Sequence, residues 1–432
     1  MTKHTTGNVI TFNKKRTPAD DEAEAWHDEI QRTEKGKPLA NLSNTNLALT
    51  KSKNWEGAFG YDEFADRVVL QRKPPWDSGK AGIEWNDNCE FHTRLWFEGL
   101  PDEVRFSPSA RTIGSTVRAI AHLHSFHPVR DYYDSLKWDG VPRIEKWLTT
   151  YLLAKETKYT RAVGPRWLIS AVARVYQPGC QADHMLILEG KQGRQKSTAL
   201  RGLCANETWF VDSMPSHGSK DAAMQVKGAL IIEDSELRAL KTSQREASKS
   251  FQTRRVDKFR PPYGRYTVRL ARHCVMAGTI NPPSDGRYLK DPTGNRRYWP
   301  VLVADIIDIN KLEQDRDQLW AEAVQRYRDG MPWWLETPEL EALAEAEQAK
   351  RLLINDLHDE VIGWLNGLPN TSITLPTKSD VSVTECLIAI FDGKPHTRAD
   401  EMKVADILKH IGYKRYRPNQ KGLPRTPRYR KQ

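Results

Sequence analysis

Leu186 to Thr198 reads LILEGKQGRQKST. The apolar run that feeds it, His184 to Glu189 (HMLILE), has strand length, as expected for a parallel strand buried on both faces. The strand runs into Gly190, a loop holding Gly193 follows, and Lys196-Ser197 open a helical pattern, KSTALRGL. Strand, glycine loop and a lysine–hydroxyl pair at a helix start form a layout that cradles phosphate. Backbone N–H groups of Gln192, Gly193, Arg194 and Gln195, with the helix N-terminus at Lys196 to Thr198, point at phosphate oxygens. Lys196 reaches the β- and γ-phosphates, and the Ser197 hydroxyl binds Mg²⁺. One residue departs from the usual pattern. Gln195 stands immediately before the lysine, where glycine normally supplies backbone freedom and close approach.

Working outward, WFVD (209–212), ALIIED (229–234) and CVMAGTI (274–280) are further short apolar segments with helical or loop stretches between them. Strands alternating with helices predict an α/β fold with a parallel sheet, here of the P-loop NTPase kind. ALIIED places Glu233 and Asp234 at a strand end, 37 residues beyond Lys196. One carboxylate there would order Mg²⁺ and the other polarise the attacking water, with Glu236 a third candidate. Asn281 ends the CVMAGTI strand, where an amide can orient water against a γ-phosphate. TGNRRYW supplies Arg296 and Arg297, either of which could reach a neighbouring subunit's γ-phosphate as an arginine finger. The expected bound species are therefore ATP and Mg²⁺.

The chain has 432 residues, 38% hydrophobic and 28% charged, which excludes a fibrous or wholly disordered protein. No apolar run approaches membrane-spanning length, and the first residues lack a secretion signal. The five cysteines are scattered, so neither a disulfide framework nor structural zinc is expected, and a reducing cytoplasm fits. A net charge of +10 favours a polyanionic partner.

Composition suggests five regions. Residues 1–45 read as a polar, disordered tail and 46–125 as a small mixed unit. Residues 126–180 form a helical collar-like segment, with helices expected from Pro142 and over Arg166–Tyr176. The ATPase region would span 181–335, and 336–432 a helical unit compatible with a winged helix and carrying a basic tail. The last 21 residues hold eight Lys/Arg and no acid. Tyr413, Tyr416 and Tyr429 among these cations suit nucleic-acid contact.

The stretches HPVRDYYDSLKWDG, RWLISAVARV, DHMLILEGKQGRQKSTALR, GSKDA, RRVDKFRPPYGR and GTINPPSDGRYLKDPTGNRRYWPV resemble the virulence-associated E family of phages, plasmids and pathogenicity islands. The resemblance runs from about Phe126 to Val303, some 40% of the chain. That family is similar to superfamily 3 helicases of the AAA+ class. The resemblance implies a ring-forming ATPase, a hexamer, that translocates on single-stranded or forked DNA during replication of a mobile element. It implies the phosphate-loop role for Lys196 and Ser197, the acidic-motif role for Glu233 and Asp234, the sensor role for Asn281 and the finger role for Arg296 or Arg297. It also implies that a basic hairpin, RRVDKFRPPYGRYTVRLARH (254–273), projects into the ring pore, with Lys258, Arg260, Tyr263 and Arg265 on the DNA. Relatives often carry a primase domain ahead of the helicase. The region before Phe126 has no room for one, so a separate primase or polymerase is the expected partner. Two alternatives stand beside this reading: a non-catalytic DNA-binding replication or regulatory factor with a degenerate phosphate loop, and a small-molecule kinase. The net charge and the arginine pair argue against the kinase.

Overall fold

The computed structural model describes residues 25–76, 81–212, 220–235, 250–260, 266–283, 286–289, 295–352, 357–367, 378–393, 395–417 and 427–431. Tyr263, Arg265 and Glu236 lie outside the described residues, as do residues 1–24 of the expected tail.

The first unit holds α1 (Leu42–Lys51), β1 (Phe59–Asp62), β2 (Arg67–Leu70), β3 (Ile83–Glu84), α2 (Asp87–Glu98), α3 (Ala110–Leu123) and β4 (Ser125–Phe126). Its sheet has the order β3-β2-β1-β4, with β4 parallel to β1. The structure corrects the reading of residues 25–45 as tail. Trp26 and Ile30 are buried in the same core as Trp55, Phe59, Phe97 and Ile113. The chain is held there by Asn44, fully buried, which accepts from Gln31 N and donates to the carbonyls of Gln31 and Leu39, each at 2.8 Å. Backbone pairing through one buried amide leaves little apolar signal in the sequence.

Three helices lead to the central sheet: α4 (Pro128–Ser135), α5 (Trp147–Thr150) and α6 (Lys158–Tyr176). Pro142 does not start a helix; only the single turn of α5 follows it. α6 begins eight residues before Arg166, at a Thr157 capping box, and continues through Pro165. It is buried around nearly its whole circumference, so it is a core helix and not an amphipathic surface one. Gly164 lets the Trp147 indole approach, since a Cβ there would lie 2.8 Å from its Nε1.

The central layer contains β5 (Met185–Glu189), α7 (Lys196–Gly202), β6 (Phe210–Val211), α8 (Lys220–Gln225), β7 (Ile231–Ser235), β8 (Val256–Phe259), β9 (Val268–Ala271), β10 (Val275–Ile280) and β11 (Tyr298–Leu302). Five strands form one parallel sheet in the order β11-β5-β10-β7-β6. Leu186 and Leu188 face a core shared with α6, α7 and the following long helix, whereas Met185 and Ile187 face a second core with Phe251, Tyr288 and Leu289. β5 is thus buried on both sides, which explains its uninterrupted apolar run. β8 and β9 make a separate antiparallel hairpin. β11 was not apparent as a strand in the sequence. It lies at the sheet edge, where Pro300 costs no ladder bond.

α9 (Ile309–Arg328) packs on α6 and α7, and α10 (Pro338–Lys350) covers the β11 edge. Thr337 caps α10 by accepting from Leu340 N, and Pro338 takes the first turn. The C-terminal unit comprises α11 (His358–Leu365), β12 (Asp380–Ser382), α12 (Val383–Ile390), α13 (Arg398–His410), β13 (Tyr413–Tyr416) and β14 (Arg428–Lys431). Its strands pair antiparallel in the order β12-β14-β13 around a core of Val361, Leu387, Val404 and Leu408. Among the described residues no helix is long and apolar enough to cross a membrane.

Candidate nucleotide site

At the C-terminal end of β5 the backbone turns sharply. Gly190 adopts φ 153°, and a Cβ added there would sit 2.9 Å from the Val303 carbonyl oxygen. Gly193 has φ 82° and Gln195 φ 61°, ψ 29°, both left-handed. Position 195 therefore requires the conformation that makes glycine common before the lysine. Glutamine adopts it at a local cost of roughly 1–2 kcal/mol, and the loop keeps its shape. α7 starts directly afterwards, so the backbone N–H groups of its first turn open toward the loop.

The lysine is fully engaged. Lys196 Nζ donates to Gly190 O at 2.7 Å, Lys191 O at 3.0 Å and Asn281 Oδ1 at 2.9 Å. Burial, then the nearby Arg194 guanidinium, lower its proton affinity, partly offset by Glu233. Arg194 itself turns away, donating to Ala304 O and pairing with Asp305 at 3.4 Å.

One residue along α7, Ser197 Oγ donates to Glu233 Oε1 at 2.6 Å. Thr279 Oγ1 donates to the same carboxylate oxygen. β10 lies between β5 and β7, with Ala277 in register with Glu233 and Thr279 with Ser235. The sheet order therefore brings the loop lysine, the β7 acid and the β10 amide to one end. Asp234 is also buried, but strand alternation sets it on the opposite face of β7 from Glu233 and Ser235. A cleft of about 410 Å³ lies over this end, lined among others by Gly193, Lys196, Ser197, Ser235, Thr279 and Asn281. Thr279 and Ser235 escaped the sequence reading. The signal for Thr279 was its place two residues before Asn281, on the same side of β10.

A hydroxyl next to one carboxylate is a hard-oxygen pair suited to Mg²⁺, which takes few protein ligands and completes its shell with water and substrate phosphates. Among the described residues no cluster of three or more His, Cys, Asp or Glu offers an all-protein metal cage.

Arg296 and Arg297 are not brought to this cleft. They occupy a 3₁₀ turn just before β11, and Tyr298 pairs with Met185 at the far end of β5. The length of β5, roughly 16 Å at 3.3 Å per residue, separates them from Gly190. They line a second cleft of about 370 Å³ with His184, Asp183 and Trp334. His184 stacks on Trp299 at 4.2 Å, and burial lowers its pKa to about 4.

The β8–β9 hairpin carries the remaining candidates. Lys258 and Arg260 are exposed, and Lys258 is in register with exposed Arg269 on the opposite strand. Tyr266 is 80% exposed. Phe259 instead belongs to the interior, beneath Lys227. The hairpin base is fixed by Asp257, which accepts from Arg272 Nε at 2.6 Å and Nη2 at 3.1 Å and from Arg254 at 3.0 Å. In the C-terminal unit, Tyr413 and Tyr429 are 3% exposed and belong to its core, so they are not free to contact nucleic acid.

These elements define a mixed α/β protein built on a five-stranded parallel sheet. The model of the virulence-associated protein E-like domain matches residues 133–352, slightly more than half of the chain. The protein belongs to this family. Two similar solved structures are the A form apo structure of the NrS-1 C-terminal region (305–718) and an apo structure of the same region. The first is 11% identical, covers 86% of this chain and 95% of that chain, and has a TM-score of 0.46. The second is 12% identical with the same coverage and TM-score. No curated protein sequence matches the chain.

Proposed function

We propose that this protein is an ATP-dependent DNA translocase or helicase acting in replication of a phage or other mobile element. The observation that carries the reading is the convergence of Lys196, Ser197, Glu233 and Asn281 at the C-terminal end of three adjacent parallel strands. That convergence matches the demands of nucleoside triphosphate hydrolysis: a cation for the β/γ-phosphates, an oxygen pair for Mg²⁺ and an amide beside the γ-phosphate.

Each residue has a definite task in this account. Lys196 exchanges its two loop carbonyls for phosphate oxygens when ATP enters, and its remaining bond to Asn281 Oδ1 keeps the amide beside the attacking water. Ser197 and Glu233 present oxygen to Mg²⁺, which supplies charge neutralisation at the phosphates. Thr279 keeps the Glu233 carboxylate oriented. Asp234 lies on the face of β7 opposite the Ser197–Glu233 pair, so it is given no metal role in this account, and Asp234→Asn tests its contribution separately. Arg296 and Arg297, a full strand length away from their own loop, serve the site of an adjacent copy, so turnover requires an oligomer, by family resemblance a hexameric ring.

DNA contact is assigned to the β8–β9 hairpin. Placing Lys258 and Arg269 directly across from each other is unfavourable in an isolated hairpin and becomes favourable against a polyphosphate. Exposed Tyr266 supplies a ring for base stacking. The test is ATP hydrolysis with and without single-stranded DNA, beside Lys258→Ala/Arg269→Ala. DNA stimulation lost in that variant, with basal turnover retained, supports the assignment. Stimulation equal to that of the wild type removes the hairpin from it.

A further inference from the structure

The charge of the C-terminal unit is unevenly divided. α13 carries Arg398, Lys403 and Lys409 against Asp400, Glu401 and Asp406, and is balanced. Lys409 pairs with Asp406 at 3.3 Å and Lys403 with Asp400 at 3.8 Å. The adjoining β13–β14 hairpin is different: its eight residues, YKRY and RYRK, include Lys414, Arg415, Arg428, Arg430 and Lys431 and no acid. Two of these cations are neutralised from the neighbouring strand and helix. Arg428 pairs with Asp380 and with Glu385, both at 2.9 Å, and Arg430 pairs with Asp380 at 2.7 Å. Lys414, Arg415 and Lys431 are exposed and have no ion pair among the described residues. Lys414 lies directly across from Arg430, again a like-charge pair in register.

The aromatic residues of this unit are unavailable. Tyr413 and Tyr429 are in the core, Tyr416 donates its hydroxyl to Asp380 and lies under the Arg430 guanidinium at 4.7 Å, and Lys378 covers Trp364 at 3.5 Å. After residue 357 no described Phe, Tyr or Trp ring is exposed. A surface rich in cations without a free ring binds phosphate and cannot stack unpaired bases.

We infer that the β13–β14 hairpin is a second DNA contact, gripping the phosphate backbone of duplex DNA through Lys414, Arg415 and Lys431 without reading its sequence. The balanced charge on α13 excludes that helix as the source of the affinity, and phosphate contacts position a duplex without selecting bases. The two basic hairpins would divide the work: β8–β9, with exposed Tyr266, engages single strand, and β13–β14 engages duplex. The inference is independent of ATP hydrolysis, because binding at this hairpin needs no nucleotide.

The test is fluorescence anisotropy without nucleotide, using a 25-base-pair duplex and a single strand of equal length between 50 and 200 mM salt. It compares the full chain with Lys414→Ala/Arg415→Ala/Lys431→Ala and with Lys403→Ala/Lys409→Ala on α13. The expected result is at least a tenfold loss of duplex affinity in the triple variant at the lower salt. The slope of log K against log salt should fall by roughly 2–3, at about 0.9 per phosphate contact. Single-strand binding and the α13 variant should match the wild type. A duplex slope unchanged in the triple variant overturns the inference. So does an equal loss on single strand, or an equal loss from the α13 variant, because either would report only general charge. Arg replacements at the two lysines, Lys414→Arg and Lys431→Arg, retain the slope if the fold is intact and the cations are what matters.

Discussion

Lys196 Nζ donates to Asn281 Oδ1 at 2.9 Å, joining the loop after β5 to the end of β10 across 85 residues of sequence. In the proposed reaction this bond would hold the amide where an attacking water is oriented. Asn281→Ala leaves the lysine with two carbonyl partners and removes only the amide. ATP affinity, read by a fluorescent nucleotide analogue, should stay within about threefold, while turnover falls by roughly 10². Equal loss of affinity and turnover would make Asn281 a binding group and remove its sensor role.

Gln195 is the departure from the phosphate-loop pattern that most clearly invites a test. Its φ of 61° carries a cost that glycine lacks. Gln195→Gly gains roughly 1 kcal/mol from relieved strain, less the larger backbone entropy glycine has in the unfolded chain. Thermal melting should rise slightly, by about 2 °C, with turnover equal or higher. Gln195→Val should melt below wild type, since a β-branched side chain fits that region poorly. A Gly variant that melts well below wild type would mean the glutamine side chain makes a stabilising contact of its own.

The arginine pair is separated from its own loop by the length of β5. Arg296→Ala and Arg297→Ala, each inactive alone through the adjacent site, should regain partial activity when mixed with Lys196→Ala protein, because mixed oligomers contain sites with both groups intact. Absence of rescue at any mixing ratio, with subunit exchange verified by mass, would put the arginines outside catalysis.

Three histidines tie stability to pH. His127 and His273 face each other at 3.2 Å with Phe64 of the first unit packed on both rings, and His184 stacks on Trp299. Burial lowers each pKa to about 4, with Arg130 adding at His127, the His127 ring and Arg130 at His273, and Arg296 and Arg297 opposing Asp183 at His184. In the unfolded chain they titrate near 6.5, so between that value and about 4 the unfolded state binds more protons. Stability contributed by the neutral rings is complete above pH 6.5 and declines as pH falls toward 4. Denaturant midpoints between pH 7.5 and 4.5 should show this decline, and His273→Asn should reduce it. A flat profile across pH 6.5 to 4.5 would contradict the assignment.

Much of the central layer was legible because its strands are buried on both faces and read as unbroken apolar runs: Met185–Glu189, Ile231–Ser235 and Val275–Ile280. The order of lysine loop, acid and amide followed from those strand ends. Tyr298–Leu302 was hidden by Pro300, tolerated at a sheet edge. The first two turns of α6 were hidden by Gly164 and Pro165, which look like a helix stop until Trp147 is seen packed against the glycine. The side assignment within Glu233-Asp234 needed the sheet, since adjacent residues point to opposite faces and only the neighbouring strands decide which face holds the loop. The tyrosines of the C-terminal hairpin misled for a related reason. Alternation places two of them in a core whose other half lies more than 20 residues earlier in α11 and α12.

The central claim is that Lys196, Ser197, Glu233 and Asn281 form a working hydrolytic site coupled to DNA. Steady-state ATP hydrolysis with and without single-stranded DNA, beside Lys196→Ala, tests it most directly. The account predicts Mg²⁺-dependent turnover, stimulated by DNA and reduced at least a hundredfold by Lys196→Ala. Turnover that is absent in the wild type, or equal in the wild type and Lys196→Ala, would contradict it and leave a DNA-binding factor with a phosphate loop that does not hydrolyse ATP.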